Sequence, residues 1–453
     1  MNKHLFLMGM AAAVLMTSCA NDDDLAGANN NSTIERDANS DIPVMLSVGQ
    51  KANLTRAALG NRDEEGNYDG TFDAKGLGIY CLATGKIYGT QDITWKTGFD
   101  NPNFLWMENI KADATTAVDP TLGELGEDGQ PKGKKVTSLS FYDETGNKAG
   151  EKYYYPMGSQ YSYSFYGYYP YNETVNHDQA GEKYSVNITG IDGTKDIIWG
   201  KSVVPADDKH ADEAFSAKYF RSHKADDIEA GTEYNYKNYL PNVTFKHKLM
   251  KLNIILQKGN GGNTRIEHLG IKSVKLLNVA DAGTLVIANL KTDAAASTDK
   301  EGSFNVDWTT ANNHNTEATA LSLCDYKGDV IDNSTIVLGA KDTVSYGDGF
   351  LIPVPTKNQD GSYVDNGYLN TENEQLANKG VFRLRVDYFM DDDNPQVVYK
   401  SAQYEVYPSF KNHADEAWQE GYEYDIVISV SDPEEIKANA TLTPWEKRII
   451  ELE

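Results

Sequence analysis

The 453-residue chain carries 67 acidic residues against 42 Lys and Arg, which gives a formal net charge of −25, and it contains three cysteines. An acidic chain of this kind repels phosphate backbones, and no basic patch lies among its aromatic residues, so nucleic-acid binding is excluded. With so few cysteines no disulfide framework supports the fold, and a disulfide between Cys81 and Cys324 is not expected.

The chain begins with the pattern of a secretory signal. A short basic start precedes an apolar run from Leu5 to Met16, which is shorter than the roughly 20 residues that a membrane-spanning helix needs. The run ends in LMTSC, which resembles the lipobox of bacterial lipoproteins. This resemblance implies removal of residues 1–18 by cleavage between Ser18 and Cys19, and lipidation of Cys19, whose acyl chains would anchor the chain in the outer membrane.

A polar tether is predicted at residues 19–41. It starts with three aspartates, Asp22 to Asp24, and continues with many Gly, Asn and Ser residues. Such a segment buries too little apolar surface to fold by itself. The acidic start also resembles an export tag for the outer leaflet of the outer membrane, and an ordinary solvated linker is the alternative.

Alternation of apolar and polar residues follows and predicts β-strands. Ile42, Val44, Leu46 and Val48 share one face of the first predicted strand. Similar alternation recurs along the chain between turn clusters rich in Gly and Asp, and no long helical period appears. The predicted fold class is therefore all-β, with antiparallel sheets that form sandwiches.

The length of the chain favours two domains, because a single core seldom serves so many residues. We predict an N-terminal β-sandwich at residues 42–238 and a C-terminal β-sandwich at residues 239–453. The charged, alanine-containing segment from Pro205 to Pro241 is interpreted as an inserted connection with a short helix. The stretch from Lys111 to Lys135, rich in Gly, Asp and Pro, is predicted to be a surface loop.

Residues 161–171 read YSYSFYGYYPY, and alternation predicts a strand with one buried aromatic face at the odd positions. A core role is favoured because strict alternation is typical of a half-buried strand. The alternative is a platform on which sugar rings stack. Trp95, Trp106 and Trp308, which lie in loop-like sequence contexts, are the better candidates for such a platform.

Motifs for enzymatic chemistry, metals and cofactors are absent from the sequence, so no enzyme activity, cofactor or metal is expected. In VTFKHKLMKL the apolar face shifts near Leu249, which predicts a bulge where a strand passes from one sheet to another. His247 is interpreted as a buried histidine hydrogen-bonded to a neighbour rather than as a metal ligand. A glycosidase remains an alternative, since its two carboxylates leave no mark in linear spacing.

An ordered set of features resembles the fimbrillin family of lipoprotein pilins with their anchor and tip relatives. The set comprises the lipobox at Cys19, LTRA at residues 54–57, LGIYCL at 77–82, the aromatic run, VTFKHKLMKL, and WQEGYEYDIVISV with a terminal TPW. The resemblance implies two tandem transthyretin-like β-sandwiches and a role as a pilus subunit or adhesin. It implies other pilus subunits, the outer membrane and host or bacterial surface ligands as partners.

The resemblance also implies maturation by an arginine-specific protease, followed by strand exchange between subunits. Carried onto this chain, the removable segment is Asp41 to Leu54, and the candidate cleavage sites are Arg56 and then Arg62. The short, charged carboxyl end departs from the family's pattern and puts its use as a donor strand in doubt. The alternative function is a surface glycan-binding lipoprotein of the outer membrane.

Overall fold

The structure is a computed structural model, and it describes a defined part of the chain. The described residues are 44, 46–49, 72–86, 105–120, 132–142, 146, 153–155, 161–178, 183–232, 234, 236–258, 269–277, 279–289, 300–306, 321, 323–324, 330–331, 336–337, 343–353, 382–390, 400–406, 418–432 and 435–443. Within them, no helix is both long and apolar enough to cross a membrane.

Strands account for nearly all the regular structure of the described residues. In chain order they are β1 Ser47–Gly49, β2 Ala74–Lys86, β3 Leu105–Asp119, β4 Lys134–Phe141, β5 Tyr161–Tyr169, β6 Asn176–Asp178, β7 Lys183–Ile188, β8 Ile198–Ser202, β9 Asn242–His247, β10 Met250–Lys258, β11 Leu269–Leu277, β12 Gly283–Asn289, β13 Phe304–Asn305, β14 Ile336–Val337, β15 Thr343–Leu351, β16 Phe382–Met390, β17 Lys400–Val406, β18 Glu423–Asp432 and β19 Glu435–Thr443. The predicted all-β class is confirmed.

The first part of the chain forms a closed sheet with the order β1-β4-β3-β2-β5-β8-β9, and β1 pairs with β9 to close it. A four-stranded sheet, β13-β12-β7-β6, packs against it. Buried side chains of both sheets form one cluster, here called the first core. It extends from Val44 to Leu249 and also includes Ala280, Leu285, Ile287, Ala288, Phe350 and Ile352.

Two four-stranded sheets follow, with the orders β15-β10-β18-β19 and β14-β11-β16-β17. They enclose a second core, which includes Leu252 and Ile254 of β10, Ile426 of β18, and Leu384 and Val386 of β16. A core enclosed between two sheets is the arrangement of a β-sandwich. The predicted domain boundary near residue 238 stays a prediction, although the two cores meet in sequence between Leu249 and Met250.

The sheets are mainly antiparallel, as predicted, with two exceptions that the prediction did not foresee. The pairs β1 with β9 and β10 with β18 are parallel. Parallel neighbours need a long crossover connection, and here each pair is joined by many intervening strands. Alternation within one strand predicts which face is buried, but it carries no information about the direction of the neighbouring strand.

The chain leaves the closed sheet at His247 and enters the second sandwich at Met250. The predicted change of sheet at Leu249 is confirmed, but a two-residue bend at Lys248 and Leu249 separates two strands instead of a bulge within one. His247 is buried and its Nδ1 hydrogen-bonds to the carboxylate of Asp196, which confirms that it is a core histidine with a neighbour.

The segment between β8 and β9 contains the predicted helix. Helix α1, Ala217–Glu229, lies between two 3-10 turns, Ala211–Glu213 and Tyr236–Tyr239. The hydroxyl of Ser216 caps α1 by accepting a hydrogen bond from the backbone N–H of Tyr219. Tyr219 and Phe220 are buried in the first core, so the insertion is packed against the closed sheet.

The prediction of a surface loop from Lys111 to Lys135 is wrong at both ends. Residues 111–119 belong to β3, and Lys134 begins β4. The backbone of these strands is paired over eight register positions, from Ala112↔Phe141 to Asp119↔Lys134. The error has a physical cause: residues 111–119 of β3 bury the small Ala112 and Ala114 and contain few of the large apolar residues that make alternation visible.

Both faces of the aromatic strand β5 are buried, which confirms a core role but extends the prediction of one buried face. On the odd face, Phe165 contacts Tyr155 edge to face with ring centroids 6.2 Å apart. On the even face, Tyr166 and Tyr168 are fully buried because the sheet β13-β12-β7-β6 covers that side. Their hydroxyls donate to the carboxylate of Glu301 at 2.8 Å and to the side-chain oxygen of Asn109 at 2.7 Å.

Candidate assembly site

The candidate site is the place of strand β1 in the closed sheet. β1 lies between β4 and β9, and it pairs antiparallel with β4 through Ser47↔Ser138. It pairs parallel with β9 through Ser47↔Asn242, Val48↔Val243 and Gly49↔Thr244. Strand β1, the first of the described strands, therefore closes the sheet between β4 and β9, which are not neighbours of each other in the sheet order.

The residues just before β1 are anchored in the first core. Val44 and Leu46 are 4% and 2% exposed, and both belong to that core. The backbone N–H of Val44 also donates to the carbonyl of Tyr153 at 2.7 Å. Full burial of one aliphatic side chain contributes about 1.5–3 kcal/mol, so these two side chains hold the segment in place.

The strands that flank β1 present apolar side chains to the same core. Leu139 and Phe141 of β4 and Val243 and Phe245 of β9 are all buried. The rings of Phe245 and Phe72 stack with centroids 5.7 Å apart. If β1 were withdrawn, the backbone groups of β4 and β9 that pair with it would lose their hydrogen-bond partners. Any β-strand carries the N–H and C=O groups that can pair with such an edge.

The structure covers part of the predicted site. Val44 and Leu46 are buried as the alternation predicted. Val48 lies in β1, where its backbone pairs with that of Val243. Ser18, Cys19, Ile42, Arg56, Arg62, Trp95 and Trp308 lie outside the described residues. Trp106 lies in strand β3, so the loop-like context expected for it is wrong.

The sequence did not identify the partners of β1. The apolar alternation of β9 was visible, but nothing in it indicated that Val243 aligns with Val48. The carbonyl of Tyr153, which accepts from Val44, carries no sequence signal because any residue supplies a backbone carbonyl. Such partners become apparent only when strands far apart in the chain are brought together.

The cysteines take no part in the site. Cys81 and Cys324 are both buried, and no disulfide joins them in the part of the chain that the structure describes. Burial raises the pKa of the Cys81 thiol well above its ordinary value, which keeps it protonated and unreactive.

Comparison with known proteins gives one family. The fimbrillin-like family matches residues 125–445. No curated protein matches the chain.

Several solved structures resemble this chain at low identity. A Bacteroides uniformis protein named for cell adhesion is 15% identical, covers 89% of this chain and 97% of its own, and superposes with a TM-score of 0.41. A fimbrial protein from Bacteroides vulgatus is 12% identical, with coverages of 82% and 93% and a TM-score of 0.34. The tip fimbrial protein Mfa3 from Porphyromonas gingivalis, with a C-terminal truncation, is 9% identical, with coverages of 89% and 99% and a TM-score of 0.34.

The family assignment rests on the sequence match, which spans more than half of the chain. The family is named for fimbrillins, which are structural proteins of fimbriae and not enzymes. This chain belongs to the fimbrillin-like family.

Proposed function

We propose that this chain is a subunit or adhesin of a cell-surface fimbrium that is exported as a lipoprotein and assembled by β-strand exchange. In this proposal Cys19 carries the lipid and the outer membrane is the site of anchoring. Cleavage after Arg56, or after Arg62, releases the first strand, and a strand from a neighbouring subunit takes its place. Other fimbrial subunits are the partners.

The observation that carries the proposal is the position of β1. The segment from Val44 to Gly49 has two buried side chains and backbone pairing on both sides, yet it precedes all other described strands in the chain. A first strand is separable from the strands that follow it by one cut. The chain downstream of the cut keeps β4 and β9, which form the walls of the vacated groove.

The energetics are compatible with exchange. Withdrawal of the segment loses about 3–6 kcal/mol from the burial of Val44 and Leu46 together, at about 1.5–3 kcal/mol each. An incoming strand with apolar residues at alternate positions regains a similar amount and restores the backbone hydrogen bonds. Without cleavage, the chain's own strand competes at a high effective concentration because it is covalently attached.

A reversible lock on β1 tests the proposal. Ser47 and Ser138 are register partners of an antiparallel pair, so the double substitution Ser47→Cys with Ser138→Cys is suited to a disulfide between β1 and β4. After limited digestion with an arginine-specific protease, the wild-type chain should form polymer ladders on unboiled gels. The oxidised double variant should remain monomeric after the same cut, and reductant should restore its polymerisation.

The matched control places the same bond elsewhere. Thr116 and Thr137 are register partners on β3 and β4, with hydroxyl oxygens 2.7 Å apart. Thr116→Cys with Thr137→Cys should form a disulfide and still polymerise after digestion. Polymerisation of the oxidised Ser47–Ser138 variant at the wild-type rate would show that β1 is not the exchanged strand. Arg36→Gln, upstream of the strand, should leave the ladders unchanged, whereas Arg56→Gln with Arg62→Gln should abolish them.

A further inference from the structure

The insertion between β8 and β9 carries a group of polar side chains outside the assembly site. His210 precedes the 3-10 turn Ala211–Glu213, and His223 and Asp226 lie on helix α1. His223 and Asp226 are three residues apart and therefore share one face of the helix. Together with Asp208 these side chains form what we call the histidine cluster.

The atoms of this cluster that could ligate a metal are close together. One such atom from each of His210, His223 and Asp226 lies within 4.8 Å of those of the other two. His210 Nε2 is 2.7 Å from Asp226 Oδ2, and His223 Nε2 is 3.3 Å from Asp208 Oδ2. The two imidazole rings are nearly perpendicular, with centroids 5.0 Å apart.

Neighbouring groups orient both rings. The Nδ1 atom of His210 lies 3.6 Å from the carboxylate of Glu213, on the side of the ring away from Asp226. The ring of His223 stacks on Tyr239 with centroids 4.0 Å apart. The hydroxyl of Tyr219 donates to Asp208 at 2.6 Å. Metal-binding side chains characteristically have such outer contacts: here a carboxylate lies beside the His210 ring, and tyrosines contact the His223 ring and the Asp208 carboxylate.

We propose that the histidine cluster binds a divalent transition metal ion, with Zn²⁺ the best match. His210, His223 and Asp226 are the ligands, and Asp208 is the fourth. Two imidazole nitrogens and two carboxylate oxygens make a tetrahedral set that suits Zn²⁺. Ca²⁺ and Mg²⁺ prefer sites built from oxygen alone, so they are the wrong ions for this set.

Small movements convert the cluster to a ligand shell. Bonds of about 2.0–2.2 Å in a tetrahedron place ligand atoms about 3.4 Å apart. The 2.7 Å contact of His210 with Asp226 would open, and the other separations, all within 4.8 Å for the three ligand atoms, would move toward the tetrahedral value. Lys209 pairs with Asp226 at 2.7 Å, but its side chain is 66% exposed and can turn toward solvent. Loss of such an exposed pair costs little.

A metal ion bound here would cross-link two segments of the insertion. The ion would join the segment around residues 208–210 to the middle of α1, two pieces that are otherwise held by hydrogen bonds and ring contacts. A ligand that binds only the folded state shifts the unfolding equilibrium toward that state. Bound Zn²⁺ should therefore raise the temperature at which the insertion unfolds. This inference does not depend on strand exchange.

Titration with Zn²⁺ tests the proposal directly. The full chain, without a polyhistidine tag, is stripped with EDTA, dialysed and titrated with ZnCl₂ in a calorimeter. We expect one site per chain and a higher melting temperature with Zn²⁺. Co²⁺ should give visible absorption of a tetrahedral nitrogen and oxygen site without the charge-transfer band of a thiolate, which excludes binding by cysteine.

Substitutions distinguish this site from chance binding. His210→Asn and His223→Asn should each weaken Zn²⁺ binding at least tenfold, and Asp226→Asn, at a partly exposed position, keeps the test valid if a histidine variant fails to fold. His177→Asn changes an exposed histidine on β6 and is the matched control. Absence of Zn²⁺ binding by the wild type, or equal affinity in the cluster variants and the control, would overturn the proposal.

Discussion

Lys251 of β10 and Asp348 of β15 form an ion pair in which Nζ lies 2.6 Å from Oδ2, and the lysine side chain is completely buried. On the same sheet, Asn253 donates to the carboxylates of Glu423 and Asp425. The ammonium group of Lys251 also lies 5.9 Å from the ring centroid of Phe350, which belongs to the first core. This face of the sheet is therefore a polar layer beside the boundary of the two cores.

Lys251→Met should destabilise the protein strongly. Removal of one partner leaves the Asp348 carboxylate buried without its cation, which typically costs about 3–5 kcal/mol. Urea unfolding measures the change. The double variant Lys251→Met with Asp348→Leu should recover most of it, because neither member of the ion pair is then left buried without its partner. Lys209→Met, which breaks an exposed pair, should cost less than about 1 kcal/mol in the absence of metal.

Leu46→Ala should weaken the attachment of the first strand. Leu46 is 2% exposed in the first core, and truncation of a buried leucine to alanine typically costs about 2–5 kcal/mol. The free energy of unfolding in urea checks the expectation. Lys75→Ala, an exposed position on β2, is the control and should change it by less than about 0.5 kcal/mol. Equal effects of the two substitutions would mean that the segment before β1 adds nothing to the fold.

Gly167→Val should destabilise the aromatic strand. A Cβ atom at Gly167 would lie 2.6 Å from the ring of Phe245 on β9 and 3.3 Å from Ile79 on β2. Because Phe245 is buried, the core must shift to admit the new side chain, and such overpacking should cost about 1–3 kcal/mol. Thermal unfolding followed by circular dichroism measures the effect. Ser164→Ala, on a half-buried position of the same strand, should have a smaller effect, and the reverse order would contradict the packing described.

Stability should fall steeply at alkaline pH. Burial raises the pKa of Tyr346 to about 12, and burial with the nearby Glu301 carboxylate raises the pKa of Tyr166 well above its ordinary value. Above about pH 10 the unfolded chain releases these protons while the folded chain keeps them, so the free energy of unfolding decreases as pH rises. Each such tyrosine contributes up to about 1.4 kcal/mol per pH unit. Below that range these tyrosines cause no pH dependence.

Urea unfolding at about pH 8 and about pH 11 measures this loss, with tyrosinate absorbance as the readout of ionisation. Tyr166→Phe removes one of the responsible groups and should reduce the pH dependence. Tyr154→Phe, at an exposed position, is the control and should leave it unchanged. Equal unfolding free energies at the two pH values would contradict the assignment of these hydroxyls to the core.

Several features could be predicted from the chain because they depend on neighbours in sequence. Alternation over a few residues identified strands such as β16 and β18, and it identified Val44 and Leu46 as buried. The charged composition between Pro205 and Pro241 indicated a helix, which is α1. The histidine cluster gave no such signal, because His210 and Asp226 meet across 16 positions of sequence.

The sequence by itself determined the all-β class, the burial of one face of each strongly alternating strand and the family. Those properties follow from the period-two geometry of a strand and from local side-chain chemistry. Only the tertiary structure decided that β1 lies parallel to β9, that both faces of β5 are covered, and that Lys251 meets Asp348. These depend on backbone pairing and layer packing between distant segments, for which almost any strand sequence supplies the same hydrogen-bonding groups.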